Sequence, residues 1–136
     1  MRFKDPSLVA ELAQTPVEMQ VIAEFFDQES LRQCGFDALV TRVLENICGD
    51  SGVHEAKRGV DFRDEYDGGF TYTDVQAAAL AAAVNARFPR NDDKLTCIFH
   101  SFEGGPRHAH LQVRAAGGTT DLGSDRYTQP VQPQAA

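Results

Sequence analysis

The chain has 136 residues, of which 42% are hydrophobic and 24% are charged, a size that fits one domain. No apolar run approaches the roughly 18 residues of a membrane span, and the N-terminus lacks the continuous apolar stretch of a secretory signal. The net charge of −7 disfavours a general nucleic-acid-binding protein, because a phosphate backbone would repel it. We therefore expect cytoplasmic synthesis and neither nucleic-acid nor membrane partners, and the oligomeric state stays open.

The cysteines predict free thiols in a reducing compartment. Cys34, Cys48 and Cys97 are odd in number and widely spaced. A thiolate zinc site is the alternative, but it would need closely paired cysteines.

Helices are predicted in the first third of the chain. Ser7 can cap a short helix over 8–14, and Thr15 with Pro16 can begin a second helix that ends at Gly35. An apolar stripe at helical spacing is expected to face the core, and it consists of Val17, Val21, Ile22, Phe25 and Phe26.

Strands and one further helix are predicted in the remainder. Strands are expected over 38–44, 59–62, 95–101 and 108–114, the last two as a hairpin, with a turn at 67–69. Thr73 is the expected cap of an alanine-rich helix. This order predicts an α+β domain over 1–116, with a small antiparallel sheet packed against helices, and a flexible tail over 117–136.

Two histidines share one face of the last predicted strand. His108 and His110 alternate with apolar residues that mark the core face, so both imidazoles project from the opposite face. Neighbouring imidazoles suit a metal ligand and its neighbour, although a surface histidine pair is the alternative.

An aspartate occupies the corresponding face of an earlier strand. Val60 and Phe62 point to the core, and Asp61 points away from it. Two histidines and this aspartate, with an open fourth position, would form a three-ligand zinc site. The alternative is that Asp61 pairs with Arg58 or Arg63.

One acid precedes the two histidines in the loop of the predicted hairpin. Glu103 can act there as a general base for the attacking water, or it can be an exposed loop residue.

The stretch over 54–61, followed by the His-x-His pattern at 108–110, resembles the hedgehog/D-Ala-D-Ala metallopeptidase superfamily. This group includes D-alanyl-D-alanine carboxypeptidases, L-alanyl-D-glutamate endopeptidases and the hedgehog signalling domain. The resemblance covers about residues 36–114 and extends to small phage or prophage members. It implies a hedgehog/DD-peptidase-like α+β fold that binds Zn²⁺.

The resemblance also implies roles for individual residues. His54, Asp61 and His110 match the zinc ligands, Glu103 the catalytic base, and His108 the histidine beside the metal. Arg42 matches the arginine that polarises the substrate.

The implied reaction is hydrolysis of peptide bonds in the peptidoglycan stem peptide, at the cell wall after phage-mediated release. The alternatives are a non-catalytic, zinc-retaining binding or structural module of the same fold, such as a phage-particle component, and an unrelated soluble domain with incidental histidines.

The sequence departs from the family pattern at identifiable positions. Lys57 stands where the family has glycine, and Gly59 stands where it has alanine. Arg107 occupies the position, three residues before the last ligand, where the peptidases often carry an acid. A guanidinium stays protonated, so Arg107 cannot serve as a base.

Overall fold

The computed structural model describes residues 1–45, 54, 57–66, 70–90, 94–101, 107–114 and 130–132. These residues form three helices and a five-stranded mixed sheet, which confirms the predicted α+β class. The elements in chain order are β1 (Arg2–Phe3), α1 (Ser7–Ala13), α2 (Val17–Cys34), β2 (Leu39–Arg42), β3 (Gly59–Arg63), β4 (Glu65–Tyr66), β5 (Phe70–Thr71), α3 (Asp74–Arg87), β6 (Cys97–His100) and β7 (His108–Gln112).

The main sheet has the strand order β1-β2-β3-β7-β6. All neighbouring strands are antiparallel except β1 and β2, which are parallel. β6 and β7 pair as the predicted hairpin does, whereas β1 was not expected. The turn predicted over 67–69 lies outside the described residues, between the paired strands β4 and β5.

The ends of the longer helices follow local sequence signals. Thr73 caps α3 as predicted, in a reciprocal capping box with Gln76. α2 ends as predicted at Gly35, whose φ of +85° is readily adopted by glycine.

The predicted caps of α1 and α2 were wrong. The Ser7 backbone N–H donates to Asp5 Oδ1, so Asp5 supplies the oxygen at the start of α1. The Thr15 hydroxyl donates backwards to the carbonyl of Leu12, and no side chain caps α2.

The hydrophobic core lies between the sheet and helices α2 and α3. Phe26 of α2 stacks on Phe62 of β3 with ring centroids 4.6 Å apart. Ile22 and Phe26 are buried as predicted, but Val17 is 74% and Val21 50% exposed, so the stripe was wrong there. The buried face of α2 instead runs through Met19, Ile22, Ala23, Phe26 and Ser30.

The central strands alternate as predicted. Val60 and Phe62 in β3, and Ala109 and Leu111 in β7, belong to the core on the helix side. The intervening residues therefore lie on the opposite face of the sheet. This alternation separates the polar face that carries the candidate site from the packed interior.

The described part of the predicted tail lies against the sheet. Phe99 N–H donates to the carbonyl of Pro130 at 2.9 Å, and Gln132 N–H donates to the carbonyl of Phe99 at 2.8 Å. The other residues of the predicted tail are outside the described part of the chain.

Two of the three cysteines are described, and both are free thiols as predicted. Burial raises the pKa of Cys34 and of Cys97. Cys48 lies outside the described residues. In the described part of the chain, no helix has the length and apolar character needed to cross a membrane.

Candidate metal centre

Three side chains meet on the polar face of the sheet. Asp61 in β3 lies directly opposite His110 in β7, and His110 Nδ1 is 2.7 Å from Asp61 Oδ1. His54 precedes β3, and its Nε2 is 3.2 Å from the same oxygen. The exposed fractions of His54, Asp61 and His110 are 2%, 4% and 3%. One ligand atom from each lies within 4.8 Å of the other two, so this triad can hold a metal ion.

The second nitrogen of each histidine is held by an oxygen. His54 Nδ1 lies 2.7 Å from the carbonyl oxygen of Val43, and His110 Nε2 lies 3.0 Å from Gln112 Oε1. A carbonyl oxygen only accepts, so these contacts assign the N–H to His54 Nδ1 and His110 Nε2. His54 Nε2 and His110 Nδ1 are thereby directed at Asp61, an arrangement typical of metal-binding histidines.

The surroundings of the triad suit a cation at its centre. His110 has an oxygen at hydrogen-bond distance from each ring nitrogen, and a neutral imidazole carries only one N–H to donate. Buried His54 Nε2 has no hydrogen-bond partner in the described residues, despite facing Asp61 Oδ1. A cation between these atoms would satisfy all three groups. The donor set therefore fits a metal ion.

Asp61 is ionised in this environment. Burial by itself raises the pKa of a carboxyl group, but the charge of His54 and the hydrogen bond and charge of His110 hold the pKa of Asp61 well below its usual range. An anionic oxygen is therefore available at neutral pH.

The other oxygen of Asp61 faces two further candidate residues. Arg42, opposite Asp61 in β2, places its Nε 3.2 Å from Asp61 Oδ2. His108 Nε2 lies 3.6 Å from the same oxygen, and its side chain is 22% exposed. Arg42 thus contacts a ligand carboxylate directly, and His108 lies beside the triad at the more open side.

All four histidines of the chain gather on this face. His100 in β6 lies directly opposite His108 in β7, and their ring centroids are 4.5 Å apart. The His100 ring is also 5.8 Å from that of His110. Sequence reasoning placed His100 in a strand but assigned it no role. Cys97 and Phe99 belong to the core, so His100 lies on the opposite face, but the apolar Ile98 between them hides this alternation in the sequence.

The loop that presents His54 contains an unusual backbone conformation. Lys57 has a φ of +63°, and its N–H donates to the carbonyl of His54 at 2.9 Å. Glycine adopts this left-handed region at little cost, whereas a residue with a Cβ does so unfavourably. Lys57 thus carries backbone strain that a glycine at this position would not.

Glu103 and Arg107 are the remaining residues that the sequence analysis singled out. Glu103 lies outside the described residues. Arg107 is 6% exposed and forms ion pairs with Asp64 and with Asp74, the latter at 2.6 Å. It also donates to the carbonyl of Tyr72. Arg107 thus links β7 to the start of α3 and has a structural role.

The donor set limits the chemistry of the site. Two imidazole nitrogens and one carboxylate oxygen suit zinc and other first-row transition ions better than magnesium or calcium. In the described part of the chain, no other group of three or more histidine, cysteine, aspartate or glutamate residues converges in this way.

Comparison of the chain with protein-family models, with curated proteins and with solved structures finds no match.

Proposed function

We propose that this protein is a zinc-dependent metallopeptidase that hydrolyses peptide bonds of the peptidoglycan stem peptide. In this proposal it has the hedgehog/D-Ala-D-Ala metallopeptidase fold. The observation that carries the proposal is the buried convergence of His54, Asp61 and His110, with the second nitrogen of each histidine held by an oxygen. The sequence resemblance supplies the reaction class and the substrate.

His54, Asp61 and His110 would hold the zinc ion, which would supply a Lewis acid and a water molecule with a pKa lowered toward neutrality. Glu103 then accepts the proton of the attacking water and passes it to the leaving amine. His108 donates an N–H to the carbonyl oxygen as negative charge develops there. Arg42 holds Asp61 in place through Oδ2 and, in the proposal, polarises the substrate.

A second candidate is a zinc-retaining module without hydrolytic activity, such as a phage-particle component. The observation that favours it is Arg107, which occupies the position of the usual catalytic acid and is committed to Asp64 and Asp74. For the peptidase, the proposal places the action at the cell wall after phage-mediated release.

The test is incubation of the zinc-loaded protein with purified peptidoglycan, with new amine ends read by mass spectrometry. The peptidase proposal predicts new amine ends that disappear with His110→Ala and fall by about 10²–10⁴-fold with Glu103→Ala. Glu24→Ala, at an exposed position of α2, is the matched control and should cleave normally.

Zinc retention without any cleavage would favour the non-catalytic module. Full cleavage by Glu103→Ala would place the general base elsewhere.

A further inference from the structure

Arg63 is a cation on the candidate site face, and it has no partner among the residues that the structure describes. It ends β3, lies two residues after Asp61 on the same face, and pairs in register with His108 of β7. Its side chain is half-buried. Within the described part of the chain it forms no hydrogen bond, ion pair or aromatic contact.

The arginines around Arg63 are all engaged. Arg42 contacts Asp61, Arg107 pairs with Asp64, and Arg58 donates to the carbonyl of Val113. Asp61 and Asp64, which lie within two residues of Arg63, are thus held by other cations. The guanidinium of Arg63 is therefore available to bind a group from outside the described residues.

The position of Arg63 relative to the triad limits what it can reach. Two residues along a strand correspond to about 6.6 Å, and one extended peptide residue spans up to about 3.6 Å. A peptide whose carbonyl lies at the Asp61 triad would therefore place a group one or two residues away beside Arg63.

The arginine guanidinium favours a carboxylate as its binding partner. Its fixed fork of N–H donors matches a carboxylate with two parallel hydrogen bonds. His108 and His100, its neighbours across the sheet, are not anionic and do not compete for it.

We propose that Arg63 determines specificity by binding a substrate carboxylate within two residues of the scissile bond. This inference rests on the proposed peptidase function. The carboxylate can be the C-terminal carboxylate of the peptide or the side chain of an acidic residue.

The experiment uses the zinc-loaded full chain and synthetic stem peptides in matched pairs. One pair differs only in a C-terminal acid or amide, and the other only in glutamate or glutamine beside the scissile bond. The wild-type protein should cleave the acid member of one pair with about 10- to 100-fold higher kcat/KM, chiefly through a lower KM. The pair that shows the preference identifies the source of the carboxylate.

Variants then assign the preference to Arg63. Arg63→Met should remove the preference and leave cleavage of the neutral peptide nearly unchanged, whereas Arg63→Lys should keep part of it. Arg87→Met is the matched control, since Arg87 is exposed at the end of α3, and it should behave as wild type. A preference that survives in Arg63→Met, or no preference in the wild-type protein, would overturn the inference.

A binding measurement separates this inference from the proposed function. If the wild-type protein cleaves neither member of a pair, the peptidase proposal fails, and calorimetry compares binding of the same peptides. The inference requires the acid to bind more tightly than the amide in the wild-type protein and equally in Arg63→Met. Equal binding of acid and amide by the wild-type protein, or binding of neither, would refute it.

Discussion

Gln112 should control metal affinity without touching the metal. Its side chain is fully buried, and its Oε1 lies 3.0 Å from His110 Nε2. Gln112→Leu removes this acceptor and leaves a buried N–H unsatisfied, while the three ligands stay in place. Losing such an outer partner of a ligating histidine weakens metal binding by about 10- to 100-fold, which is about 1.4–2.8 kcal/mol.

The assay is a zinc competition titration against a chromophoric chelator at fixed pH. Gln112→Glu keeps an acceptor oxygen and should bind zinc at least as tightly as wild type. Asn85→Leu is the matched control, because the Asn85 side-chain amide forms hydrogen bonds with the backbone N–H and C=O of Cys97, away from the triad. Asn85→Leu should lower stability and leave zinc affinity unchanged.

Two results would refute this reasoning about Gln112. Zinc affinity within twofold of wild type in Gln112→Leu would mean that the contact does not orient His110. An equal loss in Asn85→Leu would mean that general loosening of the fold lowers the affinity.

Three further predictions concern stability. Lys57→Gly should stabilise the protein by about 0.5–1 kcal/mol in urea unfolding. Glycine relieves roughly 1–2 kcal/mol of left-handed backbone strain, but the greater conformational entropy of the unfolded chain offsets part of this gain. A destabilised variant would contradict this prediction. Arg107→Leu should cost about 3–5 kcal/mol, because the carboxylate of Asp64, 3% exposed, loses the buried guanidinium that pairs with it. The exposed-pair control Arg32→Leu should leave stability nearly unchanged, and equal losses would argue against a structural role for Arg107. Because the pKa of folded Asp61 is depressed, its stabilisation is complete above the ordinary value of 3.8 and is lost as pH falls through the folded pKa. In the metal-free protein, the free energy of unfolding of Asp61→Asn should therefore fall less steeply with decreasing pH in the acid range than that of the wild type. An unchanged slope would mean that other groups cause the acid destabilisation.

The strand-by-strand alternation of the site could be predicted from the sequence. Val60 and Phe62 around Asp61, and Ala109 and Leu111 around His110, define the core face without ambiguity. A side-chain period of two then places the ligands on the opposite face. The cross-strand pairing of Asp61 with His110 needed the fold, because sequence periodicity does not fix the register between strands.

His100 and β1 show where local patterns fail. Cys97, Ile98 and Phe99 are all buried, so the apolar run over 97–99 hides the alternation that places His100 on the site face. β1 is only two residues long and pairs with β2, more than thirty positions later. Such a short strand is defined by its partner and carries too little pattern of its own.

The predicted stripe of α2 failed for a different reason. α2 has apolar residues on more than one face, so spacing alone does not select the buried one. The buried face runs through Met19, Ile22 and Ala23, and Val17 and Val21 lie on the exposed side.

The central claim is that His54, Asp61 and His110 hold one metal ion, and elemental analysis of the purified protein tests it most directly. After zinc exposure and exhaustive dialysis, the wild-type protein should retain about one zinc per chain. His110→Ala should retain none, whereas the control His100→Ala, on the same face outside the triad, should retain the full amount. A wild-type protein without zinc, or a His110→Ala variant that keeps it, would contradict the claim.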